Sequence, residues 1–327
     1  MSRIPVFSRA SQDSPLPKQV GIVVNPLSNH ASSAISEIVR QCRDSHVPTP
    51  RSYTTTSADP GSGQARQALG EGAELVIAIG GDGTVREVAD SLAGTQARLG
   101  IIALGTGNVL ASNLGLTRLT IPEQVATALR GPHACLDLGR AHLRTTGGDE
   151  YCEPFLTMAG IGRDALTVQR TGMIAKKRTG WAAYAISGMM EALRPPIGMD
   201  VQLDDRPPAS MRYWTVLAGN TPAVLGGVLV YPGALVDDGR LEVLQVPLTR
   251  PDQWLPVAIK GLTGHDRPVA ALRYTSATRL RVRPHHPLPV QVDGDVVEDV
   301  TELDVSVREC CVQVQLPPTA ETKTEQS

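Results

Sequence analysis

The chain has 327 residues, a formal net charge of −2 and 3% aromatic residues. That length allows two cores, and that charge argues against a dedicated nucleic-acid surface, which needs a basic field and often stacking platforms. The five cysteines, Cys42, Cys135, Cys152, Cys310 and Cys311, form neither CxxC pairs nor an even framework, which predicts a reduced compartment and packing roles.

Residues 1–18 carry arginines but no apolar run, so they read as a disordered polar lead and not as a signal peptide. A strand is predicted over 20–24, then the turn NPLSN (25–29), then a helix whose apolar stripe Ile35, Ile38, Val39, Cys42 follows i, i+3, i+4, i+7. A strand over 53–56 and a helix over 64–69 come next. The strand 75–79 leads through GGDGT (80–84) into Val85, Val88, Ala89 and Leu92 at the same helical spacing, closed by Gly94. The strand 99–104 then leads through GTGN (105–108) into a short helix ending at Gly115. Strands alternating with helices imply parallel pairing with right-handed crossovers, which puts all three turns at the carboxyl edge of one sheet, where ligands of open α/β sheets bind.

From about Arg140 the pattern changes to short strands between Gly, Pro and Asp turns, with one helix over 179–193, predicting an antiparallel β-rich domain. The uncharged run 214–236 is long enough to cross a bilayer, but its two prolines and its glycines break it into buried strands joined by turns. The expected organisation is thus a lead (1–18), an α/β nucleotide-binding domain with a parallel sheet (19–139), a β-rich, antiparallel, sandwich-like substrate domain (140–300), strands over 301–316 that return to either domain, and a disordered tail (317–327).

The GGDGT turn carries the chemistry. Glycines feeding a helix N-terminus present backbone N–H groups to phosphate. Neither GxxxxGK[ST] nor GxGxxG is present, since Arg86 stands where a third glycine belongs. A carboxylate beside phosphate repels it unless a divalent cation lies between them or the carboxylate handles an acceptor's proton. Asp82 therefore points to phosphoryl transfer. Taken alone, the turn is most simply a strand-to-helix connection with Asp82 as N-cap; the coincidence of three small polar turns on one edge reverses that order.

The set NPLS, GGDGTVREV, LGIIALGTGN and YPGALVDDGRLEV resembles the bacterial lipid kinases related to diacylglycerol kinase and sphingosine kinase, within the superfamily that includes NAD kinase. The similarity runs over 19–316. FLTMAGIGRDA (155–165), KKRTGWAAYAISGMMEAL (176–193) and VDGD (292–295) match the lipid-kinase pattern and not that of NAD kinase.

The resemblance implies that Asn25, Pro26, Ser28 and Asn29 line ATP phosphates together with Gly80, Gly81, Asp82, Gly83, Thr84 and Glu87. Gly105, Thr106, Gly107 and Asn108 join them from the third turn, and Thr56 from the second strand. It places Mg2+ on Asp238 and the backbone of Leu235 and Arg240, with Asp137 in a water and metal network beside Asp82. It makes Asp82 and Asp295 the catalytic carboxylates and a lipid alcohol the acceptor, for a cytoplasmic enzyme in peripheral contact with the inner membrane surface. A kinase of a soluble acceptor such as NAD, a catalytically impaired binding protein and a homodimer stay open. Two motifs depart from the family pattern: Asn29 and His30 replace a glycine and a basic residue, and Asp295 replaces a glutamate that serves as a general base.

Other candidates have plainer readings. Asp237-Asp238-Gly239 between strands is by itself a hairpin turn. His285 and His286 between prolines read as a solvated loop, and His265 as structural. Lys176, Lys177 and Arg178 precede a stripe of Trp181, Tyr184, Gly188 and Met189 that reads first as core packing and second as a surface for an anionic bilayer.

Overall fold

The structure is a computed structural model that describes residues 7–8, 12, 14–165, 194–224, 227–248, 250–254, 256, 269 and 271–318. Two compact units divide the chain: Met1–Leu138, Leu235–Asp238 and Glu309–Ser327 form the first, Gly139–Ala234 and Gly239–Arg308 the second. The predicted helix 179–193, the basic cluster before it and His265 lie outside the described residues.

In the first unit β1 (Val20–Val24), β2 (Arg51–Thr54), β3 (Leu75–Gly80) and β4 (Arg98–Ala103) pair in parallel in the order β2-β1-β3-β4. Every residue of β1 and β3 is buried, the mark of strands covered on both faces. On one face α1 (Ala31–Asp44) and α5 (Ile121–Arg130) pack Ala34, Ile38, Val125 and Leu129 against Ile22, Ile77 and Ile79. On the other lie α2 (Ser62–Gly70) and α3 (Asp82–Leu92); a Cβ at Gly21 would come within 2.7 Å of the Ala68 methyl, so the absent side chain is what lets α2 approach β1. Strand β2 is an exposed edge, and it starts two residues before the predicted 53–56 because an edge strand has no apolar run to betray its start.

Helix α5 was not expected, although Thr120 and Glu123 form a capping box with Pro122 in the first turn, a legible start signal. Within the run 214–236 the described residues include one strand, β10 (Thr215–Gly219), where several were expected, and Tyr231 and Ala234 are buried beside Trp214. Among the described residues no helix is long and apolar enough to cross a membrane.

The second unit is built of antiparallel pairs among its described residues. Its strands are β6 (Glu150–Phe155), β7 (Met158–Gly162), β8 (Ile197–Leu203), β9 (Ala209–Tyr213), β10, β11 (Leu241–Val246), β12 (Arg273–Ala277), β13 (Arg279–Pro284) and β14 (Leu288–Val292), with parts of β5 (His133–Thr145) and β15 (Asp295–Gln315). The row β12-β11-β10-β7-β14-β15 continues on β15 into β13, β8 and β9. Phe155, Ile161, Tyr213, Val243, Leu280 and Leu303 fill its core. The fold is therefore an α/β parallel-sheet domain plus an antiparallel β-rich domain, as the sequence pattern predicts. The last residues of β15 belong to the first unit, where Gln313 and Val314 pair in parallel with Arg98 and Leu99 of β4.

One expectation is corrected. Cys135 of β5 and Cys310 of β15 form a disulfide across 175 residues of sequence, so these two are not packing thiols. Cys42, buried on α1, is one.

Candidate active site

The three turns start side by side because their strands are in register. Val24 is level with Ile79, and Gly80 with Ala103. Backbone bonds stitch the exits together: Asn25 N–H donates to Ile79 O at 2.9 Å, and Leu104 N–H donates to Gly80 O at 3.0 Å. The turn after β1 is closed by Asn25, whose Oδ1 accepts the Leu27 N–H at 2.9 Å and whose carbonyl accepts the Ser28 N–H at 3.0 Å. Pro26 and Asn29 are exposed and Ser28 half-buried. His30, in the left-handed region at φ 63, starts α1, which has no side-chain cap and no acid in its first turn.

Gly81, not Asp82, is the N-cap of α3. Asp82 is the first residue of that helix, and its Oδ1 accepts the Val109 N–H at 2.7 Å. Val109 opens α4 (Val109–Asn113), so the Asp82 carboxylate caps the neighbouring turn's helix instead of its own. The two turns touch at Gly105, where a Cβ would stand 2.5 Å from the Gly81 Cα. Asn108, left-handed at φ 47, brackets Gly105 by donating to its carbonyl at 2.6 Å and accepting its N–H at 3.2 Å. Gly83 and Thr106 are exposed, Gly107 is half-buried and Thr84 is buried. The result is a polar rim on which the N-cap residues of α1 and α3 supply no side-chain cap, the chemistry that holds phosphate oxygens.

Two sequence candidates are drawn into other bonds. Glu87 accepts a short hydrogen bond from the Ser62 hydroxyl of α2. Thr56 is exposed and accepts the Asp59 N–H at 3.1 Å, closing its own turn.

The Asp237-Asp238-Gly239 stretch is no tight hairpin; it ends a long connection between β10 and β11. Asp237 is fully buried, its Oδ1 accepting the Ser8 N–H at 2.6 Å. Asp238 and Leu235 are half-buried, and the Arg240 guanidinium bonds Ser276, leaving only its carbonyl for ligation. Asp137, fully buried on β5, donates its N–H to Val236 O at 2.7 Å and accepts the Cys310 N–H on Oδ1 at 2.6 Å. Among the described residues no three His, Cys, Asp or Glu side chains cluster as a metal site. A magnesium site built from one or two carboxylates, carbonyls and substrate phosphates needs no such cluster, so this all-oxygen donor set fits that ion.

In the second unit Asp293 and Gly294, at φ 48 and 96, turn β14 into β15. The Asp293 carboxylate accepts the N–H groups of Leu156, Thr157 and Met158 at 2.8, 3.0 and 2.9 Å, and also the Thr157 hydroxyl. It anchors the 156–158 bend. Asp295, two residues on, is exposed at the start of β15. Asp164 went unremarked in the sequence. Burial pushes its carboxyl up to about 6 against an ordinary 3.8, and the Thr215 hydroxyl lies on it. That hydroxyl also donates to Ile161 O at 3.0 Å. One hydroxyl proton serves only one acceptor at a time, so a protonated Asp164 satisfies both contacts. Among the histidines, exposed His285 meets Asp200 at 3.3 Å, a surface pair.

Comparison with known proteins follows the same division. Residues 19–141 match the diacylglycerol kinase catalytic domain, and 157–315 match the YegS C-terminal NAD kinase beta sandwich-like domain. A diacylglycerol kinase of Bacillus subtilis is 27% identical over 286 residues, covering 85% of this chain and 90% of that one. A protein of Chromohalobacter salexigens named "Probable lipid kinase YegS-like" is 30% identical over 236 residues, covering 71% and 72%, and one of Pseudomonas putida with the same name is 30% identical over 259, covering 77% and 80%. The crystal structure of a diacylglycerol kinase from Bacillus anthracis superposes with a TM-score of 0.67 at 19% identity, covering 93% of this chain and 98% of that one, a likeness of fold.

Proposed function

The chain belongs to the family of diacylglycerol kinases and YegS-like lipid kinases, and from that premise we propose that it transfers the γ-phosphoryl group of ATP to the hydroxyl of a diacylglycerol-like or sphingoid lipid. The observation that carries the reading is the Asp82 bond to Val109, which fastens an acid between two phosphate-type turns. In the reaction the lipid oxygen attacks the γ-phosphorus, the bond to the β-phosphate oxygen breaks, ADP leaves, and the hydroxyl proton passes to a carboxylate. Asp82 and Asp295 are the two carboxylates assigned to that proton. The turns 25–29 and 105–108 line the phosphates; the N–H groups of Asn25, Leu27, Ser28 and Gly105 are spent on shaping these turns, and the Asn108 clasp on Gly105 keeps the third turn in place beforehand. Magnesium would be held by Asp238 with the carbonyls of Leu235 and Arg240, Asp137 serving the same network; it supplies charge neutralisation at the phosphates.

A bilayer-dissolved acceptor implies a protein that works at the inner membrane surface from the cytoplasm. The test is transfer from labelled ATP into vesicles carrying diacylglycerol or a sphingoid base, with NAD as the soluble control. Label in lipid supports the reading. Label in NAD alone, or Mg-ATP binding without transfer to any lipid alcohol, overturns it.

A further inference from the structure

We propose that the Cys135–Cys310 bridge is a redox-operated positioning device for Asp137, opened by a dithiol reductant and closed by exchange with a disulfide oxidant that is itself reduced to two thiols, and that it sets the affinity of the Asp238 segment for magnesium. The proposal rests on the function argued above only in its last clause.

Three segments of the first unit meet at Asp137. On β5 it lies two residues after Cys135. Its N–H holds Val236 O at 2.7 Å, next to Asp237 and Asp238, and its Oδ1 takes the Cys310 N–H at 2.6 Å. Cys310 has the left-handed φ of 49 in the middle of a strand, a conformation that turns its N–H away from the run of the ladder and that a residue with a Cβ adopts only when its surroundings require it. The covalent tie to Cys135 is made at this same bend, and a bond from the same residue orients the carboxylate. A buried acid that accepts a bond from a fixed backbone N–H is itself held in orientation, which is how outer partners tune a metal site.

Access is one-sided. Cys135 is buried and Cys310 half-buried, so attack by an incoming thiolate is assigned to the Cys310 sulfur. It forms a mixed disulfide there, and Cys135 leaves as a thiolate that takes up a proton. The second thiol of the reductant then attacks its own sulfur in the mixed disulfide, releasing Cys310 as a thiol. Two electrons and two protons pass to the protein, and the dithiol becomes a cyclic disulfide. With the tie cut, Cys310 relaxes to ordinary extended geometry, its N–H leaves Asp137, and the carboxylate and the Val236 contact lose their fixed orientation.

The experiment compares the full-length protein with itself, oxidised and after dithiothreitol. Readouts are thiol count, amide exchange over 135–138, 235–238 and 309–311, and calorimetric titration of Mg2+ in the presence of ATP. Expected are two added thiols on reduction, faster exchange in all three segments, and Mg2+ affinity weaker by about tenfold. The variant Cys135→Ala/Cys310→Ala should match the reduced protein and ignore the reductant; since the wild type carries the comparison, a variant that fails to fold changes nothing. A protein with no bridge under air, or exchange at 235–238 that is unmoved by reduction, overturns the proposal. So does lowered thermal stability with unchanged Mg2+ affinity, which makes the bridge a staple. If neither state binds Mg-ATP, the function above falls, while the exchange readout still decides the positioning claim.

Discussion

The Asp82 carboxylate accepts the backbone N–H of Val109, 27 residues away, at 2.7 Å. One side chain thereby closes the first turn of a neighbouring helix and brings a negative charge to the rim where phosphates are expected.

That double duty separates two variants. Asp82→Asn keeps an acceptor oxygen for Val109 but removes the charge and the proton acceptor. Transfer should fall by about 10²–10⁴-fold with the melting temperature nearly unchanged. Asp82→Ala should lose the same activity and also about 1 kcal/mol of stability, as expected for a lost cap. Equal melting curves for both variants would show that the bond to Val109 holds nothing.

Gly105→Ala places a methyl 2.5 Å from the Gly81 Cα and 2.9 Å from Asn108 Oδ1. Backbone cannot swing aside as a side chain does, so the two turns must part, at a cost of about 1–3 kcal/mol. The expected result is ATP binding weakened about tenfold, read by calorimetry beside a urea unfolding curve.

Much of this was legible in the sequence, and the limits are physical. Short strand, polar turn and helix at i, i+3, i+4 spacing disclosed β1, β3, β4 and their turns, because strands covered on both faces are unbroken apolar runs. The Asp82 bond to Val109, the Cys135–Cys310 bridge and the anchoring by Asp293 join residues remote in sequence, where spacing holds no information. Asp293 had a partial signal, since an Asp-Gly pair between strands marks a tight turn, but nothing local says that its carboxylate reaches 156–158. Asp164 reads as an ordinary surface acid until the β-rich core closes over it. Helix α5 was missed although its capping box was present.

The acids of the Asp-Gly-Asp turn should behave oppositely. Asp293→Ala strips three N–H groups and a hydroxyl of their partner and should lower unfolding free energy by about 3 kcal/mol. Asp295→Ala, at an exposed position, should stay within about 0.5 kcal/mol of wild type while transfer collapses. Asp295→Glu, with the longer side chain of the family pattern, should raise kcat. A kcat indifferent to residue 295 would remove it from the chemistry.

Asp164 gives the pH prediction. Its carboxyl is raised to about 6 in the fold against an ordinary 3.8, first by burial. The folded state therefore binds more protons than the unfolded state between those values, and stability falls as pH rises through that window. The contribution is whole below 3.8 and gone above about 6. Asp164→Asn, a neutral mimic of the protonated acid, should flatten this part of the curve and be the more stable protein, relative to wild type, at pH 7 than at pH 4. Urea midpoints measured at both pH values decide it; parallel curves would mean that Asp164 titrates normally.

Asp238→Asn should shift the magnesium requirement for transfer to higher concentration with little change in the ATP requirement at saturating metal. An unchanged magnesium titration would move the metal elsewhere.

The long strand β15 begins among antiparallel partners of the second unit and finishes beside β4 in the first. The unit bearing the three turns thus joins stretches far apart in sequence, with most of the β-rich unit translated in between. During synthesis the β4 edge stays unpaired until residues 313 and 314 have followed the β-rich unit, which leaves a hydrophobic border exposed in the meantime. A fragment ending at Leu138, however faithfully it spells out the three turns, should be sticky and prone to aggregate, and engineers seeking a minimal nucleotide module would do better to graft residues 309–316 back onto it.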